Sequence, residues 1–340
     1  MQVALERDGF FEALLDTREE PILLRGIPFA PSAVAGVDEE AYVELRLGLL
    51  SDASDRIADS LSTESLERLG HLERLLPMKK LTPFIGAGMS ASSGIPTWSA
   101  FLAQVSHGRI PEAEVQDLLD RQRYEALADL VIRTCGMALF DERVTAFDRP
   151  RPAPIHQLLP ALFPGTAFTT NFDVLIEKAF EQYGTPFDLI VSSCAQWEGV
   201  AAADTQADRV LVKVHGDYRL PKSRVFAADE YDEAYAADGP LMRDLRALFA
   251  GHAVVFLGCS LASDRVMQVA LEIAQQVDRA GPRHYAFLPL EEGADPDLDR
   301  ERFLSERHIF PIWYPPNDGH GVLAEILWVL SSRAAEWGND

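Results

Sequence analysis

From Leu81 onward, short apolar runs alternate with longer stretches in which apolar residues recur every three or four positions. LTPFI opens the pattern, and strand-like runs follow at 166–169, 189–191, 210–214, 253–257, 285–288 and 309–313. Helical spacing covers 99–105, 112–149 (through Leu118, Leu119, Leu127, Leu130 and Val131), 174–182 and 265–277. Strands alternating with helices predict an α/β fold: a Rossmann-like, doubly wound parallel sheet that binds ligands beyond the carboxyl ends of its strands. The helices between about 100 and 150 read as a helical insertion, closed by Pro150, Pro152 and Pro154. Residues before Lys80 read as mostly helical. Phe10, Phe11, Leu14 and Leu15 share a face, and Leu66, Leu69, Leu72, Leu75 and Leu76 follow the capping candidates Ser62 and Thr63. Gly26, Pro28 and Pro31 mark a turn or loop between them. The chain thus divides into a helical N-terminal extension, 1–78, and a main domain, 79–340. The extension carries no chemical motif, so it is expected to pack on the main domain, with partner docking as the alternative.

Composition narrows the class. With 340 residues, 47% of them hydrophobic, the chain can bury a core of enzyme size. No apolar run reaches membrane-spanning length, and the first residues lack a signal-peptide core, so a cytoplasmic protein is expected. The formal net charge of −22 repels a phosphate backbone, which argues against direct nucleic-acid binding. An anionic dinucleotide can still bind where backbone amides at a helix start supply local positive potential. Cys135, Cys194 and Cys259 are too scattered for a disulfide framework or a zinc site, so reduced thiols and no metal are expected.

Four segments carry candidate chemistry, each just past a strand-like run. Gly86-Ala87-Gly88-Met89-Ser90 is a glycine turn leading into a helix, suited to a pyrophosphate but equally to any tight strand–helix turn. Its spacing departs from Gly-x-Gly-x-x-Gly, with Ala91 at the third position and Gly94 next. Thr169-Thr170-Asn171-Phe172-Asp173 presents two hydroxyls, a carboxamide and a carboxylate, more than a helix cap requires. His215-Gly216-Asp217 places an imidazole at a strand end, where its neutral form can accept a proton. Gly258-Cys259-Ser260-Leu261-Ala262-Ser263-Asp264 repeats the small-residue turn; Ser260 could meet a ribose or phosphate, and Ser263 or Asp264 could cap the next helix.

In that order, GAGMSASSGIP, TTNFD, HGD and GCSLASD resemble the NAD-binding core of sirtuin-like proteins, especially bacterial NAD-hydrolysing effectors of anti-phage defence. The resemblance spans about Lys80 to Tyr314 and implies NAD as substrate. It places Gly86, Ala87, Gly88 and Ser90 against the phosphates and nearby ribose, with Pro96 in the same block. Asn171 would orient the attacking water or the ribose, beside Thr170; Asp173 would recognise the nicotinamide carboxamide. His215 would take a proton from a ribose hydroxyl, and Gly258 and Ser260 would hold the adenosine side. Departures from the deacetylating members are equally informative. Thr97-Trp98-Ser99 stands where they have Asp-Phe-Arg, with Trp98 a candidate aromatic lid, and Thr170 replaces glutamine. The zinc-binding cysteines and the Phe-Gly-Glu peptide stretch are absent.

The implied function is an NAD glycohydrolase that releases nicotinamide and ADP-ribose, with Asn171 and His215 catalytic, in anti-phage defence. The alternatives are a non-enzymatic NAD or ADP-ribose-derivative sensor, a deacylase or an ADP-ribosyltransferase. An always-active NADase would be toxic, so gating by homo-oligomerisation or a protein partner is expected. The extension and the amphipathic stretch around Leu323–Leu330, with Trp328, are the candidate contact surfaces, and ordinary packing is the competing reading.

Overall fold

The computed structural model describes residues 8–16, 21–24, 27–33, 39–192, 208–261, 265–277, 281–291 and 293–337. Its centre is a seven-stranded sheet of β3 (Leu81–Ile85), β4 (Ala167–Thr169), β5 (Leu189–Val191), β6 (Val210–Lys213), β7 (Ala253–Leu257), β8 (His284–Pro289) and β9 (Ile309–Tyr314). The spatial order is β5-β6-β4-β3-β7-β8-β9, and every neighbouring pair is parallel. β3 and β7 are buried at all five positions, as expected of a parallel sheet covered on both faces. The chain winds to one side of β3 through β4, β6 and β5, and to the other through β7, β8 and β9. The winding reverses at β3, so a crevice opens at its carboxyl end. The Rossmann-like, doubly wound architecture expected from the hydrophobic pattern is what forms, with no strand end displaced by more than one residue.

One face of the sheet is covered by α1 (Gly9–Asp16), α2 (Glu39–Ser60), α3 (Thr63–Leu75) and the C-terminal α15 (Asn317–Trp337). Trp328 of α15 is 1% exposed. It sits 5.6 Å from the Phe10 ring and 6.1 Å from the Phe11 ring. Its indole N–H donates to Asp8 Oδ2 (2.8 Å), which also accepts from Arg46 Nε (2.7 Å). The apolar face around Trp328 is therefore closed by the chain's own N-terminal helices, and packing is its role here. The other face carries α12 (Pro240–Gly251) and α13 (Arg265–Val277), with Leu245, Phe249, Met267 and Ala270 in the core.

Between β3 and β4 run α4 (Ala87–Ala91), α5 (Trp98–Ser106), α6 (Glu112–Asp120), α7 (Tyr124–Cys135), α8 (Met137–Thr145) and the short α9 (Leu159–Leu162). Phe101, Leu127, Val131, Phe140 and Val144 give the insertion its own apolar cluster, completed by Phe172 and Phe226 from the main domain. The 112–149 stretch, read as helical throughout, is broken twice: at Arg121–Arg123, where Gln122 takes φ 54°, and at Gly136. Of the residues expected to mark a turn, Gly26 lies outside the described residues, and Pro28 sits within β2 (Ile27–Phe29), which pairs antiparallel with β1 (Ile22–Leu24). Pro28 is tolerated because a two-stranded hairpin has only edge strands. Ser62 caps α3, its hydroxyl accepting from Ser65 N at 3.2 Å.

Candidate active site

A cavity of about 1330 Å³ opens at the carboxyl ends of β3, β4, β6 and β7 and extends to β8 and β9. All twelve residues singled out in the sequence contribute to its wall. The sheet register explains the central pair. Thr169 of β4 pairs with Lys213 of β6, so Asn171 and His215 each stand two residues past one rung of the ladder.

Asn171 is 6% exposed. Its Nδ2 donates to Gly86 O (3.0 Å) and to Ser90 Oγ (2.9 Å). Ser90 Oγ in turn donates to Asp173 Oδ2 (2.7 Å), and Asp173 Oδ1 accepts from Leu175 N (3.0 Å) at the start of α10 (Leu175–Gln182). The Asn171 backbone N–H donates to Thr169 Oγ1 (3.0 Å), whose proton goes to Ile85 O (2.8 Å). The Gly86 carbonyl accepts only, so the carboxamide cannot flip without opposing two oxygens. One atom is left over. Asn171 Oδ1 is buried with no hydrogen-bond partner among the described residues, while the residue itself contributes to the cavity lining. Asp173, one residue before the N-cap Val174, thus both takes the first N–H of α10 and anchors this chain of bonds.

Across the cavity, the glycine turn meets the turn after β7. Gly88 N donates to Gly258 O (2.9 Å), and Gly86 N donates to Leu257 O (2.8 Å). Gly258 has φ 66°, a conformation that disfavours side chains. A Cβ on Gly86 would lie 2.6 Å from Gly258 O, and one on Gly88 would lie 2.8 Å from the same atom. These glycines are required first for contact between two backbones, and the Gly86 and Gly88 amides are engaged within the protein. Arg300 of α14 (Leu298–Ser305) donates to the Ser260 carbonyl and to Leu261 O (2.7 Å), fixing the same turn from outside.

His215 hydrogen-bonds through Nε2 to Tyr235 Oη (2.9 Å), and Tyr231 packs edge-on at 5.2 Å. Burial pushes its pKa down to about 4, although part of the ring faces the cavity, so the imidazole is neutral at physiological pH. Gly216, at φ 92°, lets the chain turn where a Cβ would fall on the Ser223 carbonyl. Trp98 is half-buried, stacked on Phe226 (5.9 Å) and Phe101 (5.6 Å). It belongs to the insertion's aromatic cluster as well as to the cavity wall.

Lys213 is the residue that sequence reasoning missed. Its ammonium is completely buried and donates to Asp217 Oδ2 (2.8 Å), Glu177 Oε1 (2.9 Å), Asp173 O (2.5 Å) and Phe172 O (3.4 Å). It therefore ties the loop bearing Asn171 to the loop bearing His215. Burial raises the Asp217 carboxyl, but Arg219 and Lys213 outweigh it and hold the group below its ordinary range. Burial pushes the Glu177 carboxyl up, with Lys213 opposing. The available signal was a lone lysine in the apolar run Val210-Leu211-Val212-Lys213-Val214. Cys194, Ser263 and Asp264, also noted in the sequence, lie outside the described residues. Among the described residues no cluster of three His, Cys, Asp or Glu side chains could hold a metal ion, and no helix is long and apolar enough to cross a membrane.

Residues 165–312 match the family model described as SIR2-like domain. The match takes in the Asn171, His215 and Gly258 segments. NAD(+) hydrolase ThsA of Bacillus cereus (strain MSX-D12) is 24% identical over 255 residues, covering 72% of this chain and 52% of the relative. Defense-associated sirtuin 2 of Bacillus subtilis is 31% identical over 189 residues, 54% of this chain and 18% of that protein. NAD(+) hydrolase ThsA of Acinetobacter baumannii (strain 532279) is 25% identical over 219 residues, with coverages of 64% and 44%. The chain spans about half the length of these ThsA relatives, and less of the sirtuin.

Proposed function

We propose, from the match of residues 165–312 to the SIR2-like domain model, that the chain binds NAD as substrate and hydrolyses the nicotinamide–ribose bond. The observation that carries this reading is Asn171, held rigidly by Gly86 and Ser90 in the wall of a cavity that a neutral His215 shares, with its Oδ1 left without a partner among the described residues. The names of the ThsA relatives support it.

In the reaction the C1′–N bond breaks and its electron pair passes to the pyridinium nitrogen, so nicotinamide departs neutral. Water adds to C1′ and loses a proton, giving ADP-ribose, nicotinamide and one proton overall. Asn171 Oδ1 accepts from the attacking water or from a ribose hydroxyl, and its amide dipole faces the developing positive charge. The Ser90–Asp173 pair holds that dipole in place at no cost in reorganisation during the reaction. His215, neutral and steadied by Tyr235, accepts a hydrogen bond or proton from a ribose hydroxyl. The dinucleotide then runs across β3 toward the Gly258–Ser260 turn, with its adenosine toward β8 and β9.

We place this activity in a cytoplasmic, NAD-depleting defence response. The name of the Bacillus subtilis relative supports that setting. Control by self-association or a partner follows from the toxicity of unrestrained NAD loss. The test is to incubate the purified chain with NAD, across its oligomeric states, and follow nicotinamide and ADP-ribose. Asn171→Ala is expected to lower turnover by about 10²–10³-fold, the usual effect of losing a preorganised dipole. Full turnover by Asn171→Ala, or NAD bound but intact in every state, sinks the hydrolase reading; the second result leaves an NAD sensor.

A further inference from the structure

Among the cations lining the cavity, Arg265 has the most unusual surroundings. It is the first described residue of α13. Its guanidinium lies over the Tyr231 ring, 5.7 Å from the centroid, and Tyr231 also packs on His215. Two carboxylates from other elements hold it. Glu125 of α7, in the helical insertion, is gripped by Nε (3.3 Å to Oε1) and Nη2 (3.2 Å to Oε2). Asp232, on α11 (Ala228–Ala234), meets Nη1 at 2.7 Å.

The Glu125 contact is a two-pronged fork, the geometry with which a guanidinium also takes phosphate oxygens. Glu125 itself lines the cavity, so its carboxylate stands where an anionic ligand group would approach. Arg123, also in the wall, has no side-chain ion pair among the described residues, and the remaining two arginines are engaged differently. Arg300 donates to the Ser260 and Leu261 carbonyls, and Arg121 pairs with Asp117 on its own helix (2.9 Å). The sheet sets the span. From β4 to β7 is two strand steps, roughly 10 Å, so a dinucleotide with its reacting ribose at Asn171 brings its diphosphate to the segment after β7. Arg265 lies on that segment.

We propose that Arg265 recognises the diphosphate of the bound dinucleotide, and that Glu125 is its intramolecular competitor, displaced when the ligand enters. The proposal rests on the dinucleotide reading of the cavity. The helical insertion then senses occupancy directly. An empty cavity leaves Glu125 on Arg265 and the insertion tied to α13; a filled one releases it.

The test is equilibrium binding of ADP-ribose to the full chain, with phosphate-free adenosine as control. Arg265→Ala is expected to weaken ADP-ribose by at least about tenfold, with Arg265→Lys between it and the parent and adenosine binding unaltered. Glu125→Gln keeps the shape but removes the competing charge, and is expected to tighten ADP-ribose by about threefold or more. Arg246→Ala, which breaks the pair with Glu272 outside the cavity wall, is expected to leave affinity unchanged. Parent-like ADP-ribose affinity in a folded Arg265→Ala or Arg265→Lys overturns the recognition. Weaker binding by Glu125→Gln overturns the competition, because Glu125 would then be holding Arg265 in its working position. Because binding is read and not turnover, the predicted ranking with NAD left intact would refute the hydrolase and uphold Arg265. Hydrolysis that is insensitive to Arg265 would do the reverse.

Discussion

Lys213→Met isolates what the buried ammonium contributes, because methionine keeps most of the side-chain volume and removes only the charge and its bonds. The substitution strands Glu177, whose remaining cation is Arg219 at 3.5 Å, and leaves the Phe172 and Asp173 carbonyls without their shared donor. Asp217 is better protected, since Arg219 reaches both of its oxygens at 2.8 and 2.7 Å. Removing one partner of a buried ion pair costs about 3–5 kcal/mol. With Asp217 still paired, the lower half of that range applies, about 3–4 kcal/mol. At about 1.4 °C per kcal/mol for a chain of this size, the thermal midpoint should fall by about 4–6 °C. Urea titration of parent and variant measures the loss directly. Adding Glu177→Gln to Lys213→Met should restore part of it, because the stranded charge is gone, whereas Glu177→Gln alone should be destabilising. A loss under about 1 kcal/mol, or additive behaviour in the double variant, would refute the view that Lys213 clamps the two loops.

Acid should unfold the protein unusually early. His215 is pushed down to about 4 by burial, and His284 to about 3 by burial and then by His308. Both stay neutral when folded while the unfolded chain takes up protons below about pH 6.5, so stability is complete above that pH and lost as pH falls toward 4 and then 3. For His215 alone the gap is worth about 3 kcal/mol; a urea midpoint unchanged between about pH 7 and about pH 5 would contradict it. Gly258→Ala should cost about 1–2 kcal/mol from its φ of 66° alone, and more because the new Cβ lies 2.9 Å from the Gly88 carbonyl carbon. An unaltered thermal midpoint would show that the two turns can separate freely.

The strands were legible because a parallel strand buried on both faces is an uninterrupted apolar run, and β7 was delimited to the residue. The break at Gln122 was not, because a positive φ at glutamine leaves no mark in residue type. The hairpin at 22–29 consists of three-residue strands, too short for a period to show. Nor could any local pattern reveal that Trp328 meets Asp8, 320 positions away. For the cavity wall, membership was readable but division of labour was not. Motifs placed past strand ends had to gather at the carboxyl edge, and all twelve residues reach the cavity. That Gly86 and Gly88 serve Gly258, and that Ser90 and Asp173 hold Asn171 still, depends on contacts between segments more than 80 residues apart.

The meeting of Gly86, Gly88 and Gly258 also has a mechanical meaning. Two backbones touching with no side chain between them form a stiff seam, with nothing compressible to absorb a displacement. The floor beneath Asn171, which hangs from the Gly86 carbonyl, and the lip at Ser260 must therefore shift as one body or not at all. Any control over this pocket has to act from its roof, where the insertion meets α11 and α13 through polar contacts that can be made and unmade.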